Sequence, residues 1–236
     1  VELRGLVLLG SVAVEFGALT IRSCVFQGGG HSGPLTQGAD GATSAEPRAL
    51  TVRGGYALLH DTVISGYKSG AVLLTTGPGI YGDTKPRLVL DNCTIARNTA
   101  AYGGALHMTG GEAFISSTVF VANTASESGG ALQVDGGTFW LENETLLSQN
   151  QAPVGASIMI MSVVKAGYRL PAPAGRWIQA HGSAVGNLDV GYTDADFPFA
   201  CQPGNLGGST AKSQSGPQCA GVCPAGGWCG SAVVVP

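Results

Sequence analysis

The sequence repeats itself about every 25 residues in its central part. The segment "GGAL" occurs at Gly103–Leu106 and again at Gly129–Leu132. The segment "FVAN" at Phe120–Asn123 has related segments on both sides, "IARN" at Ile95–Asn98 and "LSQN" at Leu147–Asn150. Each repeat contains three short apolar runs. A repeat of about this length with three short strands is typical of a parallel β-helix, in which successive circuits of the chain lie about 4.8 Å apart, at the spacing of paired strands.

Weaker copies of the repeat precede this central part. One predicted circuit comprises Ala57–Leu59, Thr62–Ile64 and Ala71–Leu74, and an earlier one comprises Leu19–Ile21, Cys24–Phe26 and Ala49–Val52. The segments Gly28–Pro47 and Thr75–Pro86 are rich in Gly, Pro, Asp and Ser, which predicts loops. The sequence therefore predicts an all-β chain, with a right-handed parallel β-helix of three strands per coil over residues 1–180. A β-sandwich with irregular hairpins is the main alternative, but it does not explain the period.

Two residue types in the repeat have predicted structural roles. The glycines at 103–104 and 129–130 are expected to bend the chain between strand faces with positive φ. Three asparagines recur at the same turn and are expected to bond to one another in a ladder; they are Asn98, Asn123 and Asn150. The alternative is that these asparagines are simply turn residues that tolerate the left-handed conformation.

The pairing of "GGAL" with "FVAN" resembles the repeats of the polymorphic outer-membrane-protein family. The resemblance covers roughly residues 88–161, and only Phe120–Asn123 matches the second motif fully, since Ile95 and Leu147 replace its Phe. Members of that family are surface adhesins with a right-handed β-helix. The resemblance implies an architecture and surface exposure, and it specifies no ligand.

Four of the six cysteines lie in a C-terminal segment that lacks apolar periodicity: Cys201, Cys219, Cys223 and Cys229. Such a segment needs disulfides or a metal to hold it together, and the spacing fits zinc poorly. We expect two disulfides, with three possible pairings. The run "CAGVCPAGGWCG" resembles the Cys-rich modules, akin to ephrin-receptor-like and EGF-like repeats, of large secreted algal and protist proteins. We therefore predict a junction at 181–200 and a Cys-rich module at 201–236.

The other two cysteines, Cys24 and Cys93, open the middle strand of their circuits, where the circuit between them has Thr62. Two steps of strand spacing separate them by about 9.6 Å, which exceeds the reach of a disulfide. We expect two buried thiols.

Two N-x-Thr sequons occur, at Asn92 ("NCT") and Asn143 ("NET"). In the predicted registration both fall at the corner between the first and second strands of their circuits, two circuits apart. A corner faces solvent, so we expect both to carry N-linked glycans. The alternative is that they are uncharged turn residues.

The composition argues against several classes of function. A net charge of −3 is unsuited to binding nucleic acid, and no apolar run is long enough to span a membrane as a helix. The acidic residues are scattered singly in turns, and no catalytic motif, cofactor site or metal site is apparent. We expect no enzymatic activity. The alternative is a carbohydrate-active enzyme, a polysaccharide hydrolase or lyase, because such enzymes often use this fold.

The sequence thus predicts an extracellular or cell-surface glycoprotein with a structural or adhesive role. The chain begins at once with apolar strand residues, so we expect its first circuit to meet either neighbouring domains of a longer chain or another copy. Head-to-tail contacts of this kind do not close and generate filaments. Trp177 is the expected cap of the last circuit.

Overall fold

The computed structural model describes residues 1–29, 47–76, 85–162, 165–169, 173–177, 185–187, 191–205, 216–217, 219, 221–223 and 229–230. Within these ranges the chain forms strands and turns and no helix. Most of the two predicted loops, Gly28–Pro47 and Thr75–Pro86, lies outside the described residues, as does most of the predicted Cys-rich module.

The chain passes through three mostly parallel sheets in rotation, and we call each passage a circuit. In every circuit the first strand joins sheet 1, the second joins sheet 2 and the last joins sheet 3. The first three circuits contain β1 (Glu2–Arg4), β2 (Val7–Leu8), β3 (Val12–Val14); β4 (Ala18–Arg22), β5 (Val25–Gln27), β6 (Leu50–Val52); and β7 (Tyr56–His60), β8 (Val63–Ser65), β9 (Val72–Leu74).

The next two circuits have an additional strand before the one that joins sheet 3, and these extra strands, β12 and β16, pair with each other. Circuits four to six contain β10 (Arg87–Asp91), β11 (Thr94–Ala96), β12 (Thr99–Tyr102), β13 (Leu106–Met108); β14 (Glu112–Ser116), β15 (Val119–Val121), β16 (Thr124–Ser128), β17 (Leu132–Val134); and β18 (Thr138–Glu142), β19 (Leu146–Ser148), β20 (Ile158–Ile160). The remaining strands are β21 (Lys165–Arg169), β22 (Arg176–Trp177), β23 (Val185–Asn187), β24 (Gly191–Thr193) and β25 (Phe199–Ala200).

The strands of successive circuits pair in parallel and in the register that the repeat predicts. Ile95 pairs with Phe120 and Phe120 pairs with Leu147, so the three equivalent residues lie in one column. Likewise Leu106 of the first "GGAL" pairs with Leu132 of the second. The predicted alignment of the repeats is confirmed at these positions.

One apolar core runs through all the circuits. Alternate residues of each strand point inward, because side chains of a strand alternate between its two faces. In β10, Leu88 and Leu90 are fully buried, while Val89 between them faces outward. The inward residues of the three sheets belong to a single contiguous cluster that extends from Val14 to Phe197. A circuit by itself has no second layer to cover its inward face, so each circuit depends on its neighbours.

The two glycines of the "GGAL" motif serve different purposes, which corrects the expectation that both supply positive φ. Gly103 and Gly129 have φ of +59° and +67°. Gly104 and Gly130 have ordinary φ, but a Cβ on Gly104 would lie 2.5 Å from the carbonyl oxygen of Gly130. The first glycine is therefore required by backbone conformation and the second by the close approach of the next circuit.

The C-terminal end of the stack is covered by the chain itself. Strand β23 pairs antiparallel with β21 at the edge of sheet 1, and β24 pairs antiparallel with β20 at the edge of sheet 3. At the edge of sheet 2, Leu147 and Phe197 exchange both backbone hydrogen bonds. Phe197 packs edge-on against Tyr168 and is almost fully buried. Phe197 is thus the residue that closes the core, while Trp177 lies against Phe199 in the pair β22–β25.

The close approach of Gly104 to the next circuit predicts that Gly104→Ala destabilises the protein, although the φ of Gly104 is ordinary. The added methyl group meets backbone atoms, which cannot move aside as a side chain would, so we expect a loss of about 1–3 kcal/mol in the free energy of unfolding. Gly10→Ala is the matched control, because a Cβ there has no neighbour within 4 Å. Chemical denaturation measures both. Equal stability of the two variants would contradict the proposed close approach.

Candidate functional site

Asn98, Asn123 and Asn150 form a buried hydrogen-bonded ladder on the inner side of the turn that follows sheet 2. The side-chain oxygen of Asn123 accepts from the backbone N–H and the side-chain amide of Asn98, both at 3.1 Å. Asn150 accepts in the same way from Asn123, at 3.0 and 3.1 Å. Each amide also donates to the backbone carbonyl of the core residue of the preceding circuit: Ile64, Ile95 and Phe120.

The turn conformation is adopted by the residue before each asparagine. Arg97, Ala122 and Gln149 have φ of +54°, +54° and +56°, and no asparagine of the ladder has positive φ. The asparagines are therefore not present to tolerate a left-handed backbone, because their neighbours do that. Their side chains replace the inter-circuit bonds that strands make elsewhere, and buried polar groups require such partners.

A second polar column lies at the start of the strands of sheet 2. The thiol of Cys93 approaches the carbonyl oxygen of Asp91 at 3.3 Å, and the hydroxyl of Thr62 donates to the carbonyl of His60 at 2.9 Å. Every member thus bonds the backbone carbonyl just before its turn. The column comprises Cys24, Thr62, Cys93, Thr118 and Thr145. Cys24 and Cys93 are free and buried, as the sequence predicts.

Both sequon asparagines lie on one exposed corner, which we call the sequon corner. It consists of the residues that directly follow the strands of sheet 1 in circuits two to six, which have φ between +43° and +51°: Ser23, Asp61, Asn92, Ser117 and Asn143. Asn92 and Asn143 are exposed, with one circuit between them. The side-chain amide of Asn92 donates to Asp61 at 2.6 Å, and that of Asn143 donates to Ser116 at 3.0 Å.

The threonines of the two sequons have different environments. Thr94 lies in β11 and is half-buried, with its side chain on the outer face of sheet 2. Thr145 is fully buried in the inner polar column, and its hydroxyl lies 2.6 Å from the carbonyl oxygen of Glu142. Thr94 therefore remains partly accessible in the folded protein, whereas Thr145 does not.

A histidine beside the sequon corner contacts two carboxylates. The ring of His60 lies between two carboxylates, with Nδ1 2.9 Å from Asp91 and Nε2 3.0 Å from Asp61. On sheet 3, Nε2 of His107 lies 2.8 Å from Asp135. The contacts of His60 with Asp91 and of His107 with Asp135 were not predicted, because these partners come from different circuits and are distant in sequence.

The described residues contain no group of three or more His, Cys, Asp or Glu side chains placed to hold a metal ion. They also contain no helix long and apolar enough to cross a membrane.

The C-terminal cysteines form two disulfides, Cys201–Cys219 and Cys223–Cys229. This is one of the three pairings that the sequence left open. The two loops are joined by backbone bonds, since Gly204 donates to the carbonyl of Cys229 and Cys223 donates to that of Gly204, both at 2.8 Å. Disulfides hold together a segment whose described residues contribute little to the apolar core.

Two aspartates of the C-terminal cover were not recognised as structural residues in the sequence. Asp194 accepts a hydrogen bond from the backbone N–H of Ala156, and Asp196 accepts one from that of Gln149, at 3.0 and 2.9 Å. They satisfy donors that the end of a stack leaves open. The motif "DAD" gives the relevant signal, because alternate residues of an extended segment face the same side.

Comparisons with protein-family models, with curated proteins and with solved structures gave no match for this chain.

The ladder predicts that Asn123→Ala is strongly destabilising. The substitution removes the acceptor of the Asn98 N–H, a donor to the carbonyl of Ile95 and one of the two donors to the side-chain oxygen of Asn150, all in the interior, and we expect a loss of about 2–4 kcal/mol in the free energy of unfolding. Asn92→Ala, in unglycosylated protein, is the control and should cost only about 1 kcal/mol, because Asn92 is exposed and the main cost is that of placing alanine at a φ of +51°. Urea denaturation measures the free energy of unfolding of both variants. A loss for Asn123→Ala no larger than that for Asn92→Ala would show that the ladder does not stabilise the protein.

The cysteine arrangement predicts two thiols in the denatured, unreduced protein and six after reduction, measured by thiol titration. Burial raises the pKa of the Cys93 thiol to about 11, so alkylation of the folded protein at pH 8 should leave it unmodified. The unfolded thiol loses its proton near its ordinary pKa of 9.0. Its contribution to stability is therefore complete below pH 9 and is lost as the pH rises toward 11.

Cys93→Thr is the matched variant, since threonine occupies the same column in three other circuits. It should lower the thiol count by one, keep the fold, and remove the Cys93 component of the stability loss between pH 9 and pH 11. Four thiols in the unreduced protein would contradict the disulfide assignment.

Proposed function

We propose that the chain is a right-handed parallel β-helix that serves as a structural or adhesive glycoprotein scaffold outside the cell. The observation that carries this proposal is the placement of both sequons on one exposed corner of a continuous, in-register stack. Such a stack holds a line of surface positions at fixed spacing along its length, with about 4.8 Å between circuits. This property suits a scaffold that displays glycans or neighbouring domains.

The rotation of the chain through three sheets supports the β-helical winding. A connection between parallel strands of one sheet is right-handed in roughly 98% of proteins. Each circuit contains such a connection. The chain leaves sheet 1 after β7, for example, passes through β8 and β9, and returns to sheet 1 as the neighbouring parallel strand β10. The same hand in every circuit produces a single continuous spiral.

The cysteines support an oxidising compartment. Both disulfides join cysteines within the C-terminal segment, and disulfides persist mainly in secreted and cell-surface proteins. Sequons are used in the same compartment, so N-linked glycans at Asn92 and Asn143 are consistent with the disulfides. A surface of low charge, with 11% charged residues in the chain, also suits a glycan-covered face.

The open end of the stack supports association at the first circuit. Within the described residues nothing pairs with the outer edges of β1, β2 and β3. Unpaired edges are templates for further strands. We propose that these edges associate with a second copy, head to tail. A copy would then contact the antiparallel strands β23 and β24 that cover the other end. Exposed apolar side chains of the first circuit and of the turn after it are Val1, Leu6, Val7, Leu9 and Phe16.

Expression through a eukaryotic secretory pathway tests the glycoprotein proposal. We expect two N-linked glycans, seen as two mass steps on glycosidase treatment, with Asn92→Gln and Asn143→Gln each removing one. Because Thr145 becomes buried on folding, a slower-folding host condition should raise occupancy at Asn143 and leave Asn92 unchanged. Ser23→Gln is a control at the same corner without a sequon. Secreted protein without any glycan at either asparagine would overturn the proposal.

A further inference from the structure

The outer face of sheet 3 carries a concave strip, which we call the sheet 3 groove. Its floor is the outward-facing column at the centres of β13, β17, β20 and β24, whose members pair in register from one strand to the next. Its wall is formed by β12, β16 and the segment after β19, which pair in parallel with an irregularity between Ala100 and Tyr102. The floor residues are His107, Gln133, Met159 and Tyr192, and the wall residues are Tyr102, Ser128 and Val154.

The first glycine of each "GGAL"-type motif allows wall and floor to meet in a sharp inner corner. A Cβ on Gly129 would lie 2.8 Å from the Cβ of Gln133, and one on Gly155 would lie 2.9 Å from that of Met159. Gln133 consequently has only 3% of its surface exposed, although it points away from the core. The repeat motif that bends the chain therefore also shapes a groove along the stack.

The polar groups of the groove are held in place by one another. Ser128 donates to Oε1 of Gln133 at 2.8 Å, and Nε2 of Gln133 donates to Asp135 at 2.6 Å. Asp135 also accepts from Nε2 of His107. The Nδ1 atom of His107 has no partner in the described part of the chain and is left for a ligand. Hydrogen-bonding groups fixed in this way are prepared for a ligand without further ordering.

Two tyrosine rings flank these polar groups. Tyr102 is 45% exposed on the wall and Tyr192 is 62% exposed on the floor, and neither hydroxyl has a hydrogen-bond partner in the described part of the chain. The ring of Tyr102 lies 6.0 Å from that of His107. Three exposed large apolar side chains of the described stack lie here: Tyr102, Val154 and Tyr192. Exposed apolar groups rimmed by polar ones mark interaction sites.

We propose that the sheet 3 groove binds a neutral polysaccharide chain that lies along the stack. Sugar rings present apolar C–H faces, which suit the two tyrosine rings, and hydroxyl groups, which suit Asp135 and His107; the buried Gln133 orients Asp135. The floor spans three strand steps, about 14 Å, which accommodates a short oligosaccharide segment. This goes beyond the scaffold proposal and does not require that the chain itself be glycosylated.

Other polymers fit the groove less well. An anionic polysaccharide or nucleic acid would meet the carboxylate of Asp135, while the exposed Glu127 on the adjacent wall strand adds to the negative charge. An extended peptide gains its affinity from backbone bonds at a free strand edge. The floor strands β13, β17 and β20 are paired on both sides and offer no such edge.

Affinity electrophoresis of the purified chain tests the proposal. The gels contain galactomannan or hydroxyethylcellulose as neutral polymers, and polygalacturonate serves as the anionic comparator. We expect retardation by at least one neutral polymer and none by polygalacturonate. Tyr102→Ala and Tyr192→Ala should each weaken binding about tenfold, because each removes a stacking surface. Phe16→Ala is the matched control, since Phe16 is 72% exposed but lies outside the groove. Thermal unfolding checks that all variants remain folded.

Absence of binding to both neutral polymers would overturn the proposal, as would binding that the tyrosine substitutions leave unchanged. Equal retardation by polygalacturonate would also overturn it, because the groove would then bind anionic and neutral polymers equally well. Asn92→Gln/Asn143→Gln protein should bind as the parent does. The two proposals can therefore fail independently: the groove proposal is tested by polysaccharide binding, and the glycoprotein proposal is tested by the mass of the attached glycans.

Discussion

Hydrogen bonding between successive circuits in strict register is the constraint on which the rest of the structure depends. It places equivalent residues in columns, so that the inward side chains of three sheets make one core, although no circuit has a second layer of its own. Ile95, Phe120 and Leu147 lie in such a column. A shift of one residue in any strand would turn its apolar side chains outward.

At the turns between sheets, where the chain forms no strand pairs, side-chain hydrogen bonds maintain this register. The Asn98–Asn123–Asn150 ladder links three circuits through side chains, and the column that includes Cys93 and Thr118 bonds the carbonyls just before another turn. Both devices satisfy backbone groups that would otherwise be buried without partners. They explain why this interior contains several polar side chains although it is otherwise apolar.

The functional proposals follow from the same columnar order on the outside of the stack. The sequon corner repeats one surface position from circuit to circuit, and the sheet 3 groove repeats a wall and a floor. In the groove, glycine is needed at 129 and 155 both for positive φ and to leave room for the floor side chains. One motif therefore links the path of the backbone to a concave surface suited to an elongated ligand.

The sequence by itself determined the period, the inward columns, the stacking of the three asparagines' positions and the burial of Cys24 and Cys93, because each follows from local repetition. It did not determine which residues meet across unequal circuits: the His60 and His107 contacts, the disulfide pairing, and the cover formed by Asp194, Asp196 and Phe197. These depend on loop lengths and on a segment that reverses direction after β21, where the repeat ends. Periodicity places a residue on a face, but only tertiary structure places two distant faces in contact.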